Sequence, residues 1–174
     1  MRFDLEKLAA PRPRLTDHAP VDPVTAEVIR GVMETICFEM AVYVSRTATT
    51  PILNQSNERN ASLLDRNGRI CAVSVGVPQL MLCSSLPVRF ATEFFGDDIH
   101  PGDVFLANDP YHGGGHLPDY NVFAPVFAEG RRVMFASIQC HHGDTGGWVP
   151  GGYNVTVDSV WGEGVRFPAI RVMD

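Results

Sequence analysis

The segment at residues 61–73, ASLLDRNGRICAV, carries the clearest local structural signal in the sequence. Apolar residues stand on either side of Asn67-Gly68, a pair that readily supplies the two positive-φ residues of a type I′ turn. The segment therefore predicts a β-hairpin whose strands are joined at Asn67 and Gly68.

A long helix is predicted before this hairpin. Asp22 can cap its N-terminus, Pro23 can occupy the first helical position, and Pro51 marks its latest possible end. Apolar residues recur between them at helical spacing, and other apolar residues widen the stripe, so the helix is expected to be well buried. The members of the stripe are Val24, Val28, Val32, Ile36, Met40 and Val44.

The sequence after the hairpin predicts a second helix and several strands. The helix covers residues 85–95 and ends at Gly96, since glycine readily adopts the backbone conformation of a helix end. A turn is predicted at Glu129-Gly130. The predicted strands are residues 103–107, 121–127, 132–140 and 165–172. Together these elements indicate an α+β fold with a long N-terminal helix, a β-hairpin and a mixed or antiparallel sheet.

Composition places the chain among ordinary globular domains. Its 174 residues are 45% hydrophobic and 20% charged, which is enough for one domain with its own core. A formal charge of −6, without clusters of Lys and Arg, argues against a nucleic-acid partner. No stretch is long and apolar enough for a membrane span, so a cytoplasmic location is expected. Residues 1–21 mix charges and prolines without a period and are expected to form a flexible arm.

Four of the six histidines lie in two glycine-rich segments, NDPYHGGGHLPD at 108–119 and HHGDTGG at 141–147. Imidazole and carboxylate together suit Zn, Mn or Fe(II), and glycine lets two loops approach one ion. His116 and Asp119 are three residues apart, so one tight turn can aim both at one point. A histidine of the His141-His142 pair would complete a set of two imidazoles and one carboxylate with open positions.

Other interpretations of these residues compete with the metal site. A single histidine is usually a hydrogen-bonded core residue, and the aspartates of such loops are often only turn formers. His142-Gly143-Asp144 has the spacing of the iron-binding motif of non-haem oxygenases, but no further histidine follows it. Cys140 beside His141 could be a nucleophile, although a buried thiol at a strand end is the commoner case.

Several catalytic templates are missing from the sequence. Lys7 is the only lysine, so residues 22–174 have neither a phosphate-loop lysine nor a Schiff-base lysine. No nucleophile-elbow motif occurs. The four cysteines are widely spaced, form no C-x-x-C pair, and are expected to be buried free thiols.

Beyond these single features, five stretches resemble the hydantoinase B/oxoprolinase family. The stretches are residues 56–69, 106–119, 125–127, 141–147 and 162–164. The family includes N-methylhydantoinase B subunits, the B half of oxoprolinase, and alpha-type subunits of acetone and acetophenone carboxylases. Its members are several times longer, and this chain stops at Asp174 without a closing helix. Residues 22–174 are therefore expected to be the N-terminal portion of such a domain, in a truncated chain.

The resemblance also implies which residues form the site. The family's metal ligands are expected to fall on His116, Asp119 and His141. The residues expected to take part in catalysis around the divalent ion (Zn, Mn or Fe) are His142, Asp144 and Asp109, and His112 would shape the first loop.

The activity implied by the resemblance is hydrolysis of a cyclic amide. A partner subunit, an actin-like ATPase of the hydantoinase A type, would use ATP to phosphorylate the small-molecule substrate first. Gln79 stands where many hydantoinase-like members have histidine, and residues 151–154 read GGYN, which leaves an acetone/acetophenone-type carboxylase open as an alternative. An alternative of another class is a non-catalytic assembly fragment.

Overall fold

The computed structural model describes residues 20–174. The arm is predicted over residues 1–21, and residues 1–19 of it lie outside the described part. The helices are α1 Pro23–Thr47, α2 Pro51–Asn54, α3 Pro78–Cys83 and α4 Ser85–Phe95, with 3₁₀ turns at Pro110–His112 and Val160–Gly162. The strands are β1 Arg59–Asp65, β2 Ile70–Val73, β3 Val104–Ala107, β4 Asp119–Ala128, β5 Arg131–His141 and β6 Ile170–Met173.

The described strands form one six-stranded sheet in the order β2-β1-β5-β4-β3-β6. Every neighbouring pair is antiparallel, so the predicted α+β class with an antiparallel sheet is confirmed. The structure also confirms α4 and its end at Gly96, where φ is 58°. The short helices α2 and α3 were not predicted.

The two faces of the sheet are covered differently. The closed face carries Phe105, Phe123 and Phe135, which are fully buried and belong to one cluster with Val88 and Ala91 of α4. Burying each aromatic ring stabilises the fold by roughly 1.5–3 kcal/mol, so this cluster is the main core. The opposite face is called the open face, because α1 covers only part of it. The helix packs there on β1 and β2 through a smaller cluster of Cys37, Leu63 and Ala72.

The hairpin is confirmed, but the predicted turn type is wrong. Of the residues in the turn only Gly68 has a positive φ, 75°, and its N–H donates to the Asp65 carbonyl at 2.9 Å. The Asp65 carboxylate accepts hydrogen bonds from the N–H groups of Asn67 and Arg69 at 2.8 and 2.9 Å. These bonds stabilise a three-residue loop that ends in a left-handed glycine, instead of the type I′ turn.

A turn with two positive-φ residues does occur elsewhere in the sheet. Glu129 and Gly130 have φ values of 50° and 71° and join β4 to β5, as predicted for this pair. The left-handed conformation is costly for a glutamate, and the long antiparallel pairing on both sides holds it there.

Helix α1 is confirmed, but the expectation that it is well buried is wrong. The Asp22 carboxylate caps it by accepting from the N–H groups of Val24 and Thr25 at 3.1 and 3.0 Å. Only Cys37 and Ala41 of the helix are buried. Val24 is 73% exposed, because the helix packs on β1 and β2 through its later turns and the first turns extend beyond them.

Two further expectations need correction. Strand β6 begins at Ile170, later than the predicted strand at 165–172, because Val165 and Phe167 form hydrogen bonds with loop residues. All four cysteines are free, as expected, but Cys71 is exposed.

Among the described helices, none combines the length and the hydropathy that a membrane span needs.

Candidate metal centre

The sheet itself brings the two glycine-rich segments together. Asp119 is the first residue of β4 and His141 the last residue of β5, and the two are directly paired across the antiparallel ladder. His116 reaches the same point through a tight turn, in which the Asp119 N–H donates to the His116 carbonyl at 2.9 Å. The predicted turn from His116 to Asp119 is therefore present, and strand register brings His141 to it.

The three predicted ligands converge on one point. The Asp119 carboxylate lies between the two imidazoles, with Oδ2 at 2.6 Å from His116 Nδ1 and Oδ1 at 3.1 Å from His141 Nδ1. The imidazole rings are stacked with centroids 5.0 Å apart. One ligand atom from each residue lies within 4.8 Å of the others, so the three side chains can share an ion.

The donor set fits a divalent cation on electrostatic grounds. Asp119 is only 1% exposed, and among the described residues it forms no ion pair with Arg or Lys. Burying a carboxylate without a compensating positive charge is costly, and an ion held by the three side chains would supply that charge. Two imidazole nitrogens and one carboxylate match the ligand preference of Zn, Mn and Fe(II).

Two neighbours define the immediate surroundings of the candidate ligands. The Tyr153 hydroxyl lies 3.3 Å from His116 Nε2, and the tyrosine is exposed. Gly115 faces Asp119 closely, because a Cβ at this position would lie 2.7 Å from Asp119 Oδ2 and 3.4 Å from Gln79 Nε2. The sequence interpretation gave no role to Tyr153, and only its presence in the GGYN departure pointed to it.

Asp109 belongs to a second cluster, apart from the candidate ligands. Its carboxylate is fully buried and contacts His112 Nδ1 at 2.6 Å and Arg166 Nε at 3.1 Å. It also accepts a hydrogen bond from the Tyr111 N–H at 2.9 Å. Arg166 was not predicted as a site residue, because its charge gains meaning only from the contact with Asp109.

His142 lies on the other side of the sheet from His141. Its ring packs at a tilt against Tyr120, at a centroid distance of 4.5 Å, and lines an apolar cavity of about 580 Å³ on the open face. Burial lowers the pKa of His142, and the neighbouring His141 lowers it further. The structure therefore places His142 beside an apolar cavity, separate from the three converging side chains.

Asp144 also lies apart from the converging side chains. It is exposed, and its carboxylate accepts a hydrogen bond from the Gly146 N–H at 2.9 Å, as a turn-forming aspartate does.

Burial raises the pKa of the Cys140 thiol to about 11. Such a thiol is almost entirely protonated near neutral pH, which favours the structural interpretation of Cys140 over the nucleophilic one.

Comparison with known proteins gives a family match over nearly all of the described residues. The family model for hydantoinase B/oxoprolinase matches residues 22–174. The beta subunit of a caprolactamase from Pseudomonas jessenii is 33% identical over 153 residues, which cover 87% of this chain and 26% of that subunit. The chain thus spans about a quarter of the length of this curated relative.

Solved structures agree with the sequence match. The crystal structure of the ATP-dependent caprolactamase from Pseudomonas jessenii superposes with a TM-score of 0.81 and 31% identity, covering 89% of this chain and 27% of that one. A nucleotide-free acetone carboxylase shares the fold, with a TM-score of 0.81, 21% identity, and coverage of 87% of this chain and 20% of that one. The chain belongs to the hydantoinase B/oxoprolinase family.

Proposed function

We propose that this chain forms the metal-binding catalytic part of a subunit that hydrolyses cyclic amides, after a partner subunit has phosphorylated the substrate with ATP. The observation that carries the proposal is the buried Asp119 carboxylate between the imidazoles of His116 and His141. The caprolactamase of Pseudomonas jessenii supports the substrate class and the use of ATP, since its beta subunit is similar to this chain and the similar crystal structure is that of an ATP-dependent caprolactamase.

The residues that would hold the ion are His116, Asp119 and His141. A divalent ion bound there supplies a Lewis acid that polarises a substrate oxygen and activates water. Asp119 contributes the negative charge, and its burial keeps that charge away from bulk water. His116, whose side chain is 23% exposed, borders the solvent side of the site.

Tyr153 has a separate role in the proposed site. Its hydroxyl lies beside His116 Nε2 while most of its ring is exposed, so it borders the path by which a small molecule would approach. A phenolic hydroxyl can donate a hydrogen bond to an oxygen of the substrate and help to orient the ring that is to be opened.

The proposed partner is an actin-like ATPase subunit of the hydantoinase A type.

The test uses the complete subunit complex and compares two reactions. ATP-dependent ring opening of caprolactam, 5-oxoproline and hydantoins is measured beside bicarbonate-dependent carboxylation of acetone and acetophenone. Ring opening that is lost in His141→Ala supports the proposal. Carboxylation without ring opening overturns it in favour of the carboxylase alternative.

A metal analysis separates catalysis from a scaffolding role. The same complex is assayed for bound metal in the wild type and in Asp119→Ala, with Asp144→Ala as a matched aspartate control from the second loop. We expect about one tightly bound ion, lost only in Asp119→Ala. A folded complex without metal, or full activity in Asp119→Ala, contradicts the proposed function and favours the assembly fragment.

A further inference from the structure

A second cluster near the candidate metal centre is built around Arg166. The guanidinium carbon of Arg166 lies 4.5 Å from the centre of the Trp161 ring and 5.5 Å from that of Tyr111. Both rings are largely exposed, at 68% and 63%. The Nε edge of the arginine faces the buried Asp109 carboxylate at 3.1 Å. Contacts with two rings and one ion pair therefore restrict the position of the guanidinium.

The backbone around Arg166 is held by a single buried amide side chain. Asn108 is fully buried; its Nδ2 donates to the Val165 carbonyl at 2.7 Å, and its Oδ1 accepts from the Phe167 N–H at 2.6 Å. The Phe167 carbonyl in turn accepts from the N–H groups of Asn108 and Asp109 at 3.0 and 3.1 Å. Arg166 is thus anchored on both sides, and it presents its side chain from a fixed position.

The same asparagine connects this cluster to the metal ligands. Asn108 Nδ2 also donates to the Leu117 carbonyl at 2.8 Å, within the turn from His116 to Asp119. Strand β3 ends just before Asn108, and its antiparallel neighbour β4 begins at Asp119, so both clusters lie at the same end of the sheet. A single buried side chain, Asn108, therefore joins the backbone of the two clusters.

Another arginine of the chain shows what is particular about Arg166. Arg171 also lies over two aromatic rings, and its side chain is 22% exposed against 24% for Arg166. Its Nη2 and Nε pair with the carboxylates of Asp98 and Asp103 at 3.1 and 3.4 Å. In the described part of the chain, Arg166 forms no hydrogen bond through Nη1 or Nη2. Its remaining donors are therefore available to a ligand.

We propose that Arg166 is the oxyanion-binding residue of the substrate site, taking a phosphate ester or a carboxylate of the substrate on its Nη edge. A planar guanidinium binds such oxyanions through two parallel hydrogen bonds, and the pairing with Asp109 leaves that edge unused. The exposed rings of Trp161 and Tyr111 border the same position and add apolar surface for the rest of the molecule. The proposal rests on the proposed function only in calling the ligand a substrate.

The test measures oxyanion binding directly on the chain. Trp161 reports on the site, so the experiment uses a Trp148→Phe background and follows indole emission during titration with inorganic phosphate or with acetate. We expect a saturable change that is lost in Arg166→Gln and kept in the matched control Arg171→Gln. Phosphate binding assigns the site to a phosphate ester, and acetate binding alone assigns it to a carboxylate. No response to either anion, or an unchanged response in Arg166→Gln, overturns the proposal.

A second variant covers the case in which Arg166→Gln fails to fold. Arg166→Lys keeps the charge but loses the planar pair of donors, so anion binding should weaken at least about tenfold. Unchanged affinity in this variant overturns the proposal. The complete complex separates the two hypotheses: ring opening with an unchanged KM in Arg166→Lys removes the subsite but keeps the proposed function. Phosphate binding that depends on Arg166, in a complex that opens no cyclic amide, keeps the subsite and removes the function.

Discussion

The first glycine-rich loop, residues 108–119, contains two aspartate–histidine pairs with the same spacing and different surroundings. Asp109 with His112, and Asp119 with His116, have the same separation in sequence and the same Oδ2 to Nδ1 distance of 2.6 Å, and both carboxylates are buried. Asp109 has Arg166 as its further partner, whereas Asp119 has a second imidazole, His141. We expect the third partner to separate the roles of the two pairs, because the permanently charged arginine neutralises Asp109, whereas a bound metal ion would neutralise Asp119.

The largest expected effect comes from removing the buried carboxylate of the second pair. Asp119→Ala should weaken metal binding by more than about 100-fold, since loss of a charged ligand exceeds the roughly 10–100-fold typical of residues that only support ligands. Metal content after dialysis, measured by elemental analysis, checks this. His112→Ala, from the other pair, is the control and should keep its metal. Equal loss of metal in both variants would mean that the two pairs are not distinct.

The first pair should instead affect stability. Asp109→Asn leaves the Arg166 charge without its buried partner and should lower the free energy of unfolding by about 3 kcal/mol, the lower end for such pairs because Arg166 is partly exposed. Urea unfolding at constant m-value measures the change. Asp144→Asn, an exposed turn residue, is the control and should stay within about 0.5 kcal/mol of the wild type. A stable Asp109→Asn protein would show that this ion pair contributes little.

Two glycines of the first loop allow a finer comparison. In Gly113→Ala the new Cβ would lie 2.4 Å from the Leu86 Cβ at a φ of 98°, so stability should fall by about 1–3 kcal/mol. In Gly115→Ala the new Cβ would meet Asp119 Oδ2 at 2.7 Å, so metal affinity should fall more than stability does. Urea unfolding and metal titration of both variants distinguish the effects. Equal changes in stability and in metal affinity in the two variants would contradict the expected difference between Gly113 and Gly115.

The smallest expected effect concerns the pH dependence contributed by His142. Its pKa is lowered in the folded state by burial and by His141, while Asp119 opposes the shift. The unfolded chain therefore takes up a proton first as the pH falls, and the stability contributed by neutral His142 is present above about pH 6.5 and is lost below it.

Replacement of His142 tests this sign. His142→Phe keeps an aromatic ring against Tyr120 and should lose less stability than the wild type between about pH 7.5 and about pH 5.5. Both proteins are compared with metal bound, and the free energy of unfolding is measured at each pH. A steeper loss in His142→Phe would contradict the lowered pKa, and loss of the metal would contradict the placement of His142 apart from the ligands.

Much of the fold and the grouping of candidate ligands could be predicted locally. Asp22 and Pro23 mark the start of α1, and Gly96 the end of α4, because capping and backbone preferences depend on a few neighbouring residues. The grouping of His116 with Asp119 followed from their short separation. The turn at residues 65–69 was predicted wrongly, because the Asp65 side chain competed with the backbone preference of Asn67-Gly68.

The sequence by itself determined which residue types are available: two loops rich in histidine, aspartate and glycine at strand ends, and an apolar stripe on a long helix. Only the tertiary structure decided that His141 rather than His142 faces Asp119, since β-strand pairing selects one face of the ladder. The tertiary structure also decided that Arg166 contacts Asp109. Next to this contact, a hydrogen bond joins Asn108 to Val165, which are 57 positions apart in the sequence. Contacts between residues so far apart depend on how the sheet is assembled, and no local pattern encodes them.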